Sequence, residues 1–355
     1  MNSSPLQLDF RRATLFKGGR IVAGYGSAAL FTLGLAHVFE TSDNDKFMLT
    51  LAGNMALWAS VSESGRSRRH GSLILLLMLC PAFILGAASF AWLAGLLRRD
   101  GRAAPEFALL LGAIAVGGSR RFGSAGAGIG SQFYIGQIVA WSVGLSVAQF
   151  RQLLLAGAGA AAATLLCRAL LSEFIPPEAP APIKPPALST LTAIEVSLQS
   201  GFGALLVLLL DALVGLREPA WAVTACVYVI AGTPDQTLAR GRQRIAGTLV
   251  GVMLGLAALP LVYRAPWLAW VASAGAMMLY ATAMAARYDM ACGAFAFTLV
   301  VTLAAQGEHS LALLASRAWE TLLGASIAML LSRWMHIGRP ASAILGATSS
   351  RNDAH

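Results

Sequence analysis

Charge is scarce in this chain. Only 12% of its 355 residues are Asp, Glu, Lys or Arg and 57% are hydrophobic, against about 25% charged in ordinary soluble domains. No long polar block interrupts the apolar runs between Ile21 and Arg333, so no soluble catalytic domain fits. Cysteine is scarce too. Cys80, Cys167, Cys226 and Cys292 each sit inside an apolar run with no CxxC pair, which excludes a disulfide framework and leaves four small buried hydrophobes. His37, His70, His309 and His336 are scattered, with no HExxH pattern for a metal. No nucleophile and base pair appears on any apolar run, so the chain is not read as an enzyme, and no catalytic residue, metal or cofactor is expected. The run from Gly123 to Gly130 lacks both a preceding strand and a Gly-Lys-[Ser/Thr] ending, and reads as helix packing rather than a phosphate cradle.

What is present is apolar sequence punctuated by charge. The runs are 21–39, 47–61, 72–97, 105–118, 128–148, 152–171, 192–216, 219–232, 245–263, 266–286, 290–305 and 311–334. Several fall short of the roughly 20 residues a full crossing needs. The reading is an all-α polytopic membrane protein with ten to twelve transmembrane helices. The first run follows Arg11, Arg12, Lys17 and Arg20; it is too long for a signal-peptide core, lacks a cleavage pattern, and reads as a retained helix. Alternating twelve segments from a cytoplasmic N-terminus places most Lys and Arg on the cytoplasmic side, which favours both termini there, in an inner membrane. The turn with Arg98, Arg99 and Arg102 fits that register worst. The net charge of +9 is spread over short turns, so it reads as topology and anionic-lipid anchoring, not nucleic-acid binding.

Residues 176–186 hold six of the fourteen prolines, a stiff extended composition near the midpoint. The expected organisation is a cytoplasmic segment 1–20, a first transmembrane repeat 21–171, a linker 172–191, a second repeat 192–334 and a cytoplasmic tail 335–355. The two six-helix halves echo one another weakly. Each has a short second segment, then a basic turn, then a longer third segment, with Arg68-Arg69-His70-Gly71-Ser72 standing opposite Arg244-Ile245-Ala246-Gly247-Thr248. Matching short apolar segments in two repeats point to a transport site.

In the second half, Trp221 in a short segment precedes the Thr233-Pro234-Asp235 turn, Arg240 and Arg244, Gly247-Thr248, and Gly251 and Gly255. Arg317, Glu320, Thr321 and Gly324 follow about seventy residues later. This order resembles the integral-membrane transporter domain of the FUSC family, the fusaric-acid-resistance and aromatic acid exporter group. The likeness covers roughly 195–334 and is only suggestive over 20–171, where Leu75 and Leu79 stand opposite Gly251 and Gly255. It implies an all-helical inner-membrane exporter of aromatic or other organic acids, in some relatives with a periplasmic adaptor. Larger relatives carry a sizeable cytosolic domain, which this chain lacks.

Arg244 leads into the ninth segment behind Arg240, and a guanidinium grips a carboxylate by two parallel hydrogen bonds. Arg244 and its counterpart Arg68 are the expected anion receivers, with Arg240, Trp221 and Thr248 as further substrate-binding candidates. Gly247, Gly251 and Gly255 share a helix face for close packing, and Gly324 is placed with them. Asp235 reads as a helix N-cap or an ion-pair partner of the nearby arginines. Glu320 lies about ten residues into the last apolar run and three after Arg317, so the two share a face. They form either a fixed ion pair or, if Glu320 takes up a proton, the coupling site of a proton-driven exporter. Trp58, Trp92, Trp221, Trp267, Trp270 and Trp334 fall near segment ends as interfacial anchors, whereas Trp141 and Trp319 lie deeper. The expected function is a secondary exporter of organic acids. The alternatives are a passive organic-anion channel and a non-transporting membrane scaffold. The partners are a small organic anion and the bilayer, with an adaptor or a second copy left open.

Overall fold

The computed structural model describes residues 5–38, 45–63, 69–100, 104–171, 187–284 and 286–337. The described residues form twelve α-helices and no strand: α1 Pro5–Val38, α2 Asp45–Glu63, α3 Arg69–Asp100, α4 Leu109–Ser119, α5 Gly123–Ser142, α6 Phe150–Leu171, α7 Thr190–Val214, α8 Pro219–Val229, α9 Pro234–Arg264, α10 Pro266–Ala283, α11 Tyr288–Ala305 and α12 Leu311–Ile337. Helix is the form an apolar chain takes when lipid offers its backbone no hydrogen-bond partner, because each N–H then finds its own carbonyl. Six helical stretches are long and apolar enough to cross a membrane: Gly18–Val38, Leu73–Arg98, Val147–Leu170, Thr190–Val214, Pro234–Arg264 and Tyr288–Ala305. Phe47–Ser62 and Pro219–Val229 are apolar but shorter. The expected proline-rich linker core at 176–186 lies outside the described residues.

Local chemistry sets the helix ends. Ser189 caps α7 by accepting the Thr192 N–H at 3.2 Å, and Thr233 caps α9 by accepting the Gln236 N–H at 3.3 Å. Proline occupies the first turn of α8, α9 and α10, where its missing N–H costs nothing. Between α4 and α5 the chain reverses through a tight turn at Arg120–Phe122 and Gly123, whose φ of 68° is a left-handed conformation that glycine accepts freely.

The helix pairings of the two halves correspond. α3 lies along α5 as α9 lies along α11; α1 packs on α2 as α7 packs on α8; α2 packs on α6 as α8 packs on α12. The joins between halves correspond as well, α4 on α7 and α10 on α1. Both joins are close. A Cβ on Gly117 would meet the backbone of Ser197, and one on Gly18 would meet Met278. The largest buried cluster draws on helices of both halves, with Phe83, Phe90 and Tyr134 from one and Val207, Leu208 and Val223 from the other.

The lipid-type face is outside and the small-residue face is inside. On α9, Val250, Met253 and Leu254 are exposed, whereas Gly247, Gly251 and Gly255 are buried. The expected glycine face is therefore the packing face. A Cβ on Gly247 would strike the carbonyl oxygen of Asp289, one on Gly251 that of Gly293, and one on Gly255 the side chain of Val300. Gly324 plays the same part for α12, facing the carbonyl of Ala222 on α8.

Candidate functional site

α8 is the element around which polar and aromatic side chains gather. With 11 residues it rises only about 16 Å, half of a bilayer core of about 30 Å. Its last turn ends at Ile230, and the segment up to Thr233 is not helical. The free backbone groups there are taken by side chains. Arg120 Nη1 donates to the Ile230 carbonyl at 2.8 Å, and the Ala231 N–H donates to Thr237 Oγ1 at 3.0 Å. A cation at this end opposes the negative end of the helix dipole.

Arg244 lies beside this end of α8. Half-buried on α9, it donates from Nη1 to the Tyr288 hydroxyl at 3.1 Å, while its Nε is buried without a partner. Tyr280, Tyr288 and Cys292 are its electrostatic neighbours, and Arg120 interacts with Arg240, Tyr228 and Tyr288. Rings continue from there. Trp58 meets Tyr280 edge-on at 5.7 Å and Phe295 at 5.3 Å; Phe295 lies 5.9 Å from Tyr280 and 6.0 Å from Trp221; Tyr134 lies 6.0 Å from Tyr228. Two hydroxyls of this group are paired across the halves, Tyr228 with Ser131 at 2.7 Å and Tyr134 with Thr224 at 3.3 Å. The result is a basic group with an unsatisfied donor at the edge of an aromatic cluster built from α2, α5, α8, α10 and α11.

The other end of α8 has a second charged group. Arg317, 6% exposed, stacks its guanidinium 4.2 Å from the centroid of Trp221 and places Nη2 3.8 Å from a carboxylate oxygen of Glu218. Glu320, fully buried, accepts the Glu218 N–H on Oε1 at 2.9 Å, and its Oε2 has no partner. Glu218 precedes the first turn of α8. Burial pushes its carboxyl above the ordinary range, Arg317 pulls it back, and Glu308 pushes it up again.

Residues 202–331 match the family described as fusaric acid resistance protein-like. The match lies wholly within the second half of the chain. Together with the apolar helices, this marks a multi-pass membrane protein related to transport. Comparison with curated proteins and with solved structures found no match. The matched stretch holds Trp221, Arg244, Arg317 and Glu320, while Trp58, Arg120 and Tyr134 reach it from outside.

The sequence-predicted residues divide. Arg244 and Trp221 belong to the cluster. Thr248 is buried one turn along α9 from Arg244, and Arg240 is exposed but acts on Arg120. Arg68 lies outside the described residues. Asp235 is not the N-cap, because Thr233 takes that position. Asp235 is exposed in the first turn, where a negative charge suits the positive end of α9, and it forms no ion pair with a described residue. The carboxylate nearest Arg317 is that of Glu218 rather than Glu320, whose Oε1 is turned to the backbone of Glu218. Trp58 is part of the aromatic cluster rather than an interfacial anchor. Trp319 is 43% exposed on the outer face of α12 rather than deep, and Trp141 donates its indole N–H to Glu106 at 3.2 Å.

Missed by sequence reasoning were Arg120, Tyr134, Tyr228, Tyr280, Tyr288, Phe295 and Glu218. A usable signal existed. The chain has six tyrosines, and a phenol inside an apolar run needs a partner for its hydroxyl; four of the six meet here.

Proposed function

We propose that this protein is a secondary transporter that exports aromatic or other organic acids across a bacterial inner membrane, with both termini cytoplasmic and the anion received at Arg244. The observation that carries the reading is the position of Arg244, with a free Nε, at the edge of a ring cluster lined by Tyr280, Tyr288, Phe295, Trp58 and Trp221. A carboxylate meets a guanidinium able to form parallel charge-assisted hydrogen bonds, and an aromatic ring finds edges and faces at offset-stacking distances. Arg240 extends the basic entrance, and Thr248 offers a hydroxyl near it. The corresponding helix pairings support a chain of two six-helix repeats in the same orientation, with the site between them.

The test is uptake of labelled 4-hydroxybenzoate into inside-out vesicles holding the protein, with and without an imposed proton gradient. Accumulation that depends on the gradient supports a driven exporter, and equilibration alone supports a passive organic-anion channel. No flux across a panel of such acids overturns both readings and leaves the scaffold. Normal flux in Arg244→Ala protein overturns anion reception at that residue.

A further inference from the structure

The charged group at the start of α8 plays no part in receiving an anion at Arg244. One guanidinium, Arg317, stands among two carboxylates, Glu218 and Glu320. Glu320 is fully buried and Arg317 is 6% exposed. Glu320 Oε2 and the Nε and Nη1 of Arg317 have no partner. Glu218 is partly exposed and shares Arg317, so an ionised Glu320 holds a negative charge away from water without a cation of its own, which is costly in a low-dielectric surrounding. A single proton removes that charge, and Oε2 of Glu320 is the lone-pair position left open for it.

We propose that Glu320 binds an exchangeable proton on Oε2, with Glu218 and Arg317 as its partner charges, and that this proton drives transport. The second part rests on the exporter reading above; the first does not. The proton comes from water at one membrane face, sits on Oε2 and leaves to water at the other, so no further reactant is needed. The groups that act on Glu320 are Glu218 at the start of α8 and Arg317 on its own helix, with the Ser316 hydroxyl beside it. Glu308, in the connection before α12, acts on Glu218. Among the described residues, α7, α9 and α11 bring no further charge onto the carboxyl.

The geometry also says how the proton is felt elsewhere. Oε1 of Glu320 holds the N–H of the residue that precedes α8, and Arg317 lies on the Trp221 ring, which meets Phe295 of the aromatic cluster. Once Oε2 is ionised, the free Nε and Nη1 of Arg317, one turn away on α12, become its nearest donors. Turning toward it draws the guanidinium off Glu218 and Trp221. The proton state of one carboxyl is thereby coupled to the helix that borders the anion site.

The experiment is an infrared titration of the purified full-length protein in lipid nanodiscs, following the carbonyl stretch of protonated carboxylic acid as pH is raised. Wild type is expected to show a buried, titrating band that Glu320→Gln removes. Arg317→Gln moves its loss to higher pH, and Glu218→Gln moves it to lower pH. Glu320→Asp, which keeps the carboxyl, retains the band at a shifted pH and separates proton binding from a folding defect. A band that is absent in wild type, or unchanged in Glu320→Gln, overturns proton binding. In vesicles, Glu320→Gln is expected to equilibrate labelled 4-hydroxybenzoate but lose gradient-driven accumulation; retained accumulation overturns the driving role. Arg244→Ala lowers flux about ten- to hundredfold yet keeps the band, so failure of anion reception and failure of proton binding read out differently.

Discussion

Between α9 and α11 the close approach runs through Gly247, Gly251 and Gly293, whereas between α3 and α5 it runs through Gly86 and Gly136, which face the carbonyls of Phe133 and Phe83. The same pairing is reached with glycine displaced along the helix, and the positions opposite Gly251 and Gly255 are filled by the buried Leu75 and Leu79. Charge is not repeated in the same way. The second half brings Arg244, Arg317 and Glu320 to the interior. In the first half α5 brings Gln132, Tyr134 and Gln137, all fully buried, with Gln137 satisfying the Gly112 N–H, the Ala108 carbonyl and Ser89. Packing therefore explains the glycines of both halves but not the buried charges. Gln137 ties α3, α4 and α5 together through neutral hydrogen bonds alone, whereas the interior charges of the first half, Arg20 and Arg168, lie on α1 and α6 away from it.

The comparison breaks most severely where backbone touches backbone. Gly251→Leu and Gly136→Leu are each expected to abolish folded protein, seen as loss of a monodisperse peak on size-exclusion chromatography, because the obstructing atoms are carbonyl oxygens that cannot move aside. Next comes Arg244→Ala, expected to lower kcat/KM for 4-hydroxybenzoate uptake about ten- to hundredfold, the worth of a charged hydrogen bond, with the size-exclusion profile unchanged. Gln137→Leu is its first-half counterpart. It should destabilise by about 1–3 kcal/mol, since it leaves the Gly112 N–H unpaired, and leave KM alone, as a thermal melt and an uptake assay would show. Smallest is Trp319→Ala on the exposed face of α12, expected within about 0.5 kcal/mol of wild type and without effect on uptake, whereas Trp221→Ala lowers uptake.

Helix content, the apolar segments and the packing role of Gly247, Gly251, Gly255 and Gly324 were legible because each follows from local pattern. Apolar runs without charge must satisfy their own backbone, and glycines every fourth residue share one face. Arg244 was legible because a basic residue at the head of an apolar run stands out. The ring cluster was not, because Trp58, Tyr134, Tyr280 and Phe295 come from separate helices, and only the tertiary arrangement brings them to Arg244. Spacing along α12 suggested that Arg317 would pair with Glu320. It could not reveal that Glu218, 102 residues earlier than Glu320, would place both its backbone and its carboxylate between them. Asp235 lost the cap to Thr233 for a similar reason: either residue can cap a helix, and the choice depends on which one keeps the extended conformation.

The carbonyls of Asp289 and Gly293 occupy the space that side chains would take on Gly247 and Gly251. In mechanical terms α9 and α11 are keyed together. Sliding either helix by a residue would drive those oxygens into neighbours that carry a Cβ, so the pair moves as one rod. A change in the tilt of α8 is therefore expected to take place at its two ends, at Glu218 and at the non-helical stretch from Ile230 to Thr233, and to leave the α9–α11 rod intact.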